Sequence, residues 1–185
     1  MATQVPLVVV VTGPPASGKS TIARAISEGL PAPLIAKDPI KELLFDALGT
    51  GDPAWSKKLG LAAYALLFLE VEEEVRAGRS CVLEANFDHI EASAQLRALQ
   101  LRSPFRAFQI VCSASREVLL ERFVGRAGSR HPGHIDDERL GDVVESIDAG
   151  RWQALDLEGE TIEVDTTDWA TVDVEGLVER AATLS

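Results

Sequence analysis

Short apolar runs alternate along the chain with stretches whose apolar residues recur every three or four positions. The runs predict strands near Leu7 to Val11, Pro33 to Ala36, Ser80 to Ala85, Ala107 to Cys112 and Thr161 to Val164. The helical spacing predicts helices at about Lys19 to Glu28, Pro39 to Leu48, Trp55 to Ala77, His89 to Leu101, Arg116 to Arg126, Asp137 to Asp148 and Val174 to Ala182. In the second helix Leu43, Leu44, Ala47 and Leu48 form one apolar face, and Gly49-Thr50-Gly51-Asp52-Pro53 stops it. Strands with no polar alternation belong to a sheet covered on both faces, and their alternation with helices is the signature of βαβ units: an α/β fold with a parallel sheet. No repeat, low-complexity tract or linker interrupts the 185 residues, so a single domain is expected. One segment departs from the pattern. The polar, glycine-containing stretch at about 126–136 lies between two helices and reads as a lid.

The net charge of −11 argues against a polyanionic partner, because nucleic acid would need a local basic site set against the overall field. Cys81 and Cys112 each lie within an apolar run and have no second cysteine at short spacing, so both read as buried, reduced thiols. No basic segment precedes the first apolar run, which is therefore a strand and not a signal peptide. The longest apolar stretch, Leu59 to Leu69, is too short to cross a bilayer and contains Tyr64. Together these predict a cytoplasmic protein without membrane contact.

The chemistry concentrates where the first strand meets the first helix. Gly13-Pro14-Pro15-Ala16-Ser17-Gly18-Lys19-Ser20 fits G-x-x-x-x-G-K-[ST], and Ser20-Thr21-Ile22-Ala23 opens the helix. Binding polyphosphate needs backbone N–H donors aimed at one point, glycines that admit close approach, and a helix N-terminus. The segment from Gly13 to Thr21 supplies all three. Lys19 is expected to reach the β- and γ-phosphates, and the Ser20 hydroxyl to complete the shell of a Mg²⁺ ion that keeps most of its water.

Ligands of open α/β sheets lie beyond the carboxyl ends of the strands, so the residues that follow each strand are the next candidates. Asp38 follows the second strand and precedes Pro39, which makes it the expected N-cap of its helix. Its place one βα unit after the phosphate loop also suits a carboxylate that orients, or takes the proton of, a hydroxyl attacking the γ-phosphorus. Lys41, one turn on, is a candidate for substrate or transferred phosphate, with a solvent-facing lysine as the plain alternative. Glu84 ends the third strand and is a candidate for the Mg²⁺ shell or the substrate; Asn86 offers a donor and an acceptor to a polar substrate. Asp88-His89-Ile90-Glu91 has the spacing of a capping box.

Arg122 and Arg126 are four apart on one helix, and Arg130 lies in the break beyond it. An arginine fork meets the spreading charge of a transferring phosphoryl group without losing its own proton. Arg126 and Arg130 are therefore assigned to phosphate, and Arg122 to stacking on the base or to phosphate. His131 and His134 flank Pro132-Gly133; with no cysteine or third histidine nearby, lid contacts with the substrate suit them better than a metal.

These residues resemble the small P-loop kinases that include zeta toxins, chloramphenicol phosphotransferase and the kinase domain of polynucleotide kinase. The resemblance rests on Gly13 to Thr21, Asp38 with Lys41, Glu84-Ala85-Asn86-Phe87 and the lid from Arg126 to His134, and Val164-Asp165-Thr166-Thr167 resembles the family's adenine-side loop. It implies a five-stranded parallel sheet in the order 2-3-1-4-5, ATP with Mg²⁺, and Asp38 as the base or hydroxyl-orienting residue. Polynucleotide kinases of this pattern tend to carry arginine at the position of Lys41.

The function these observations favour is ATP-dependent phosphorylation of a small-molecule hydroxyl. A polynucleotide 5′-hydroxyl kinase is the runner-up, disfavoured by the charge and by the lack of a basic stripe interleaved with aromatics. An ATP-dependent switch is the third reading. Guanine recognition of the N-K-x-D kind is missing from the sequence, and the D-x-x-G match at Asp46 to Gly49 falls at a helix end.

Overall fold

The computed structural model describes residues 5–126, 128–134 and 136–185; Ala127 and Ile135 of the lid segment lie outside the described residues. Five strands, β1 (Leu7–Thr12), β2 (Leu34–Ala36), β3 (Cys81–Glu84), β4 (Arg106–Ser113) and β5 (Gly159–Asp165), form one sheet in the order β2-β3-β1-β4-β5. Every pairing is parallel, as the resemblance implies. The connections are α1 (Lys19–Gly29), α2 (Lys37–Leu48), α3 (Pro53–Arg76), α4 (His89–Arg102), α5 (Arg116–Gly125) and α6 (Asp136–Asp148); α7 (Val174–Leu184) follows the last strand.

β1 is fully buried because alternate residues serve two cores. Val8 and Val10 pack with Leu67 and Val71 of α3 and Leu96 and Leu99 of α4. Val9 and Val11 pack on the other face with Ile22 and Ile26 of α1 and Leu177 and Ala181 of α7. Removing each such side chain from water contributes about 1.5–3 kcal/mol, so the central strand fixes its own register through both layers. Cys81 and Cys112 are buried free thiols within these layers, and burial pushes each up to about 12, which leaves them inert.

α2 departs from the sequence reading in two ways. It starts at Lys37, with Ala36 in extended conformation at its N-cap and no side-chain cap, so Asp38 sits inside the first turn and does not cap the helix. The face it buries carries Lys37, Lys41 and Phe45, whereas Leu43 and Leu48 are 68% and 58% exposed. The apolar count placed the leucines inside, but the partners of this helix are polar: Ser56 of α3 accepts from Lys41 Nζ at 2.9 Å, and the segment from Arg130 to His134 packs over Phe45. Gly49, with φ +85°, ends α2 as expected. Among the described residues no helix is long and apolar enough to cross a membrane.

Candidate active site

α1 starts with neither a side-chain cap nor an acidic residue in its first turn, whereas α2, also uncapped, carries Asp38 there. Asp52, Asp88, Ser115 and Asp173 cap α3, α4, α5 and α7 with a side-chain oxygen. At α1 the N-cap is Gly18, left-handed at φ +77°, with no side-chain cap and no acidic residue in the first turn. Its first N–H groups therefore retain their demand for an acceptor, and the positive end of the helix dipole is not neutralised: the state that suits an anion. Glycine is required at both ends of the loop. A Cβ on Gly13 would lie 2.2 Å from the Cys112 carbonyl oxygen, and one on Gly18 would lie 2.6 Å from the Trp169 ring. Inside the loop the Ser17 hydroxyl is buried without a hydrogen-bond partner among the described residues, an orphan donor of the kind a phosphate oxygen would satisfy.

Lys19 Nζ is 7% exposed as a residue, donates to the Pro14 carbonyl at 3.2 Å and lies 3.9 Å from Glu84 Oε1. Burial lowers its pKa, and Glu84 and Asp38 partly oppose that. Register explains the encounter, because β3 pairs Glu84 with Val11 of β1 and with Ala36 of β2, so the ends of three strands meet at one rim. Glu84 is 5% exposed, which excludes a surface glutamate. Burial raises the pKa of its carboxyl against the pull of Lys19 and of the neighbouring Ser20 side chain.

No group of three or more His, Cys, Asp or Glu side chains among the described residues could hold a metal by itself. The Ser20–Glu84 pair has the chemistry of the sparse hard-oxygen set that suits Mg²⁺, with phosphate oxygens and water as the remaining ligands.

Asp38 stands across the crevice. Its Oδ1 accepts from Lys37 Nζ at 3.0 Å and its Oδ2 from Arg130 Nη2 at 2.5 Å. Burial pushes the carboxyl up, but Lys37, Arg130, His134 and Lys19 outweigh it and hold it well below the usual carboxylate range. Lys37 was not singled out by sequence; its ammonium also lies 5.5 Å from the Tyr64 ring centroid, and adjacency to Asp38 was its one signal. Tyr64 donates to the Asn86 carbonyl at 3.0 Å and packs against Phe68 and Phe87, an aromatic wall beside the acidic rim.

The segment from Arg130 to His134 docks on α2 through acids one turn apart: Arg130 on Asp38, His134 Nε2 within 2.8 Å of Glu42 Oε1, and His131 Nε2 within 3.2 Å of Asp46 Oδ1. His131 Nδ1 accepts from Gly133 N–H, which leaves its proton on Nε2 for Asp46. With both nitrogens engaged and the ring stacked on Phe45, His131 is placed at the contact between this segment and α2 and not in the crevice. His134 Nε2 also lies 3.1 Å from Arg130 Nη2; one ring nitrogen can donate to Glu42 or accept from Arg130, not both. Burial, followed by Arg130, lowers its pKa. Lys41 is 4% exposed, so it is not the solvent-facing lysine of the plain alternative: Ser56, which receives its hydrogen bond, donates to the Gly133 carbonyl at 3.1 Å.

Arg122 and Arg126 line a cleft of about 270 Å³ with Ala16, Gly18, Lys19, Ser20 and Thr21. Arg126 is the C-cap of α5 and lies over the Phe123 ring at 4.7 Å, and its charge acts on Lys19. Arg122 donates to the Thr166 carbonyl at 2.8 Å and to the Thr166 hydroxyl at 3.2 Å, which ties this helix to the end of β5. The crevice thus brings Lys19, Ser20 and Glu84 on the phosphate-loop side within electrostatic reach of Asp38 and Arg130 on the other, with Arg122 and Arg126 beside the phosphate loop.

Residues 8–149 match the profile of the AAA_33 family, described as an AAA domain. A crystal structure from Chloroflexus aurantiacus J-10-fl, of a protein provisionally assigned as a kinase, matches with a TM-score of 0.90 at 36% identity over 97% of this chain and 98% of that one. A gluconokinase from Sinorhizobium meliloti 1021 shares the fold at 18% identity, with a TM-score of 0.54 over 96% of this chain and 90% of that one. An uncharacterized protein of Mycobacterium tuberculosis (strain ATCC 25618 / H37Rv) is 29% identical over 125 residues, 64% of this chain. The chain spans about a quarter of the length of that curated relative, the match covering 25% of it.

Proposed function

Because the chain belongs to the AAA_33 family, a family of P-loop kinases, we propose that it transfers the γ-phosphate of ATP to a hydroxyl group of a small molecule. The observation that carries this reading is the pair of opposed charges across one crevice: the phosphate loop with Lys19 on one side and the ionised Asp38 on the other. A nucleotide site alone would need the first and not the second.

In this reading the N–H groups of the loop and Lys19 hold the β- and γ-phosphates. Ser20 and Glu84 would hold Mg²⁺, which supplies charge neutralisation to the phosphates when bound. Asp38 accepts a hydrogen bond from the acceptor hydroxyl and aims its oxygen at the γ-phosphorus. With its pKa held low by Lys37 and Arg130, Asp38 is a strong anchor and a weak base. Phosphoryl transfer tolerates this, because its loose transition state asks little of a base and much of positioning. As Arg130 turns toward the transferring phosphate, Asp38 Oδ2 is released to the acceptor and regains basicity.

A small acceptor is supported by the charge of −11, by Tyr64, which is bonded to the Asn86 carbonyl and lies within electrostatic reach of Asp38, and by the sugar kinase and gluconokinase among proteins of the same fold. The test is incubation of the full chain with γ-labelled ATP and a panel of sugars, sugar acids, nucleosides and a short oligonucleotide, followed by mass detection of the phosphorylated product. A phosphorylated small molecule supports the reading. Label on the oligonucleotide, or on nothing in the panel while ATP governs binding to a protein partner, would overturn it.

A further inference from the structure

The loop after β5 takes no part in the chemistry proposed above, yet it touches the phosphate loop twice. The Trp169 ring closes on Gly18, and Thr166, which is completely buried, reaches Ser17. Thr166 binds the ends of three elements together. Its N–H donates to the Ser113 carbonyl at the end of β4 at 2.8 Å. Its Oγ1 lies 3.0 Å from the Ser17 carbonyl oxygen and 2.9 Å from that of Ser113. Its hydroxyl and carbonyl oxygens both accept from the Arg122 guanidinium.

A hydroxyl has one proton and two lone pairs. Arg122 occupies one lone pair, and the Ser113 carbonyl already has the Thr166 N–H, so the hydroxyl proton is best used on the Ser17 carbonyl. That carbonyl needs holding. Ser17 stands between Ala16 at φ +67° and Gly18 at φ +77°, and an alanine in the left-handed region costs about 1 kcal/mol and persists only where the surroundings over-determine it. Fixing the Ser17 carbonyl outward fixes its peptide plane and, with it, the direction of the Gly18 N–H inside the loop.

We propose that Thr166 is a positioning residue of the nucleotide site: one buried hydroxyl locks the Ser17 peptide in its phosphate-binding orientation and holds Arg122 at the wall of the same cleft. The inference rests on the reading of the cleft as an ATP site, but part of it can be tested on phosphate alone. It differs from a general packing role, because it assigns the effect to the hydroxyl and not to the methyl group.

The experiment is calorimetric titration of the full chain and of Thr166→Val and Thr166→Ser with ATP and, separately, with inorganic tripolyphosphate, well below the melting temperature of each. The expected result is about ten-fold weaker binding of both ligands by Thr166→Val, the scale of one lost buried hydrogen bond, and binding within about two-fold of wild type by Thr166→Ser. Wild-type affinity for tripolyphosphate in Thr166→Val overturns the proposal, and so does a serine variant as weak as the valine one. If Thr166→Val does not fold, Thr166→Cys carries the test, its thiol being a weaker donor in the same place; weaker binding supports the lock and unchanged binding overturns it. Wild-type protein that binds tripolyphosphate but not ATP refutes the ATP reading and leaves the Ser17 lock to be judged on tripolyphosphate. Failure to bind either ligand refutes both.

Discussion

Asp38 and Arg130, 92 residues apart in the chain, form a charge-assisted hydrogen bond that joins the start of α2 to the segment above it. The contact links two tasks, since Asp38 is the proposed anchor of the acceptor and Arg130 the proposed partner of the transferring phosphate. Replacing Asp38 with Asn keeps the shape and removes the charge. Transfer is expected to fall by roughly 100- to 10,000-fold, the usual range for a positioned acid or base, while ATP affinity stays within a few-fold. Near-wild-type turnover by Asp38→Asn, measured with any identified acceptor, removes Asp38 from the mechanism.

Glu84 predicts a conflict between stability and activity. Burial raises its pKa, so the folded state favours the protonated form. Such a group contributes most below the pKa of the unfolded chain, about 4.3, and stability is lost as pH rises through that value toward the folded pKa. Glu84→Gln keeps a side chain able to bond Ser20 and removes the charge. Without nucleotide at pH 7 its Tm is expected to exceed wild type by a few degrees, at about 2–4 °C per kcal/mol for a chain of this size, and the gain should fade toward pH 4. Mg²⁺-dependent turnover should fall at the same time. A thermal scan across pH that shows lower stability for Glu84→Gln at pH 7 contradicts this account.

Gly133 is a steric test of the docked segment. A Cβ there would lie 2.5 Å from the Phe45 ring, which is itself buried and stacked on His131. Gly133→Ala is expected to destabilise the docked arrangement by about 1–3 kcal/mol, as overpacking does. ATP affinity should be preserved and kcat/KM for the acceptor should drop about ten-fold or more. Unchanged kcat/KM would mean that docking on α2 plays no part in turnover.

Lys41 separates two roles by a double-mutant cycle. If it acts only through Ser56, then Lys41→Met, Ser56→Ala and the double variant should reduce kcat/KM to similar extents, with a coupling energy close to the effect of either single change. A much larger loss in Lys41→Met than in Ser56→Ala shows that the ammonium reaches the substrate.

The fold was legible because a sheet covered on both faces writes itself as uninterrupted apolar runs: β1 is buried at every position, and each strand fell within two residues of its predicted place. The phosphate loop was legible for a different reason, since its glycines, lysine and serine sit within eight positions and need no tertiary partner to be recognised. α2 was misread because helical periodicity assumes that apolar residues face inward. Here Lys37 and Lys41 take the inward face, where Asp38, the Tyr64 ring and Ser56 meet their charges. The docking of His131 and His134 had no local signal, because their acids lie 85 and 92 residues away. Thr166 was noticed only as part of a strand end; nothing near it in sequence announces a partner at Ser17, 149 residues earlier.

Asp38, Glu42 and Asp46 share one stripe of α2, and that stripe constrains how this segment can vary in length. Each residue of a helix advances the chain by about 100° around the axis, so one inserted or deleted residue between Asp38 and Asp46 would swing the later acids a quarter-turn or more away from their histidines. Substitutions along α2 weaken one contact at a time, whereas a frame-preserving insertion of a single codon between Asp38 and Glu42 would unfasten two at once. Loop-length variation should therefore be tolerated after Gly49 and selected against within the eight residues that follow Asp38.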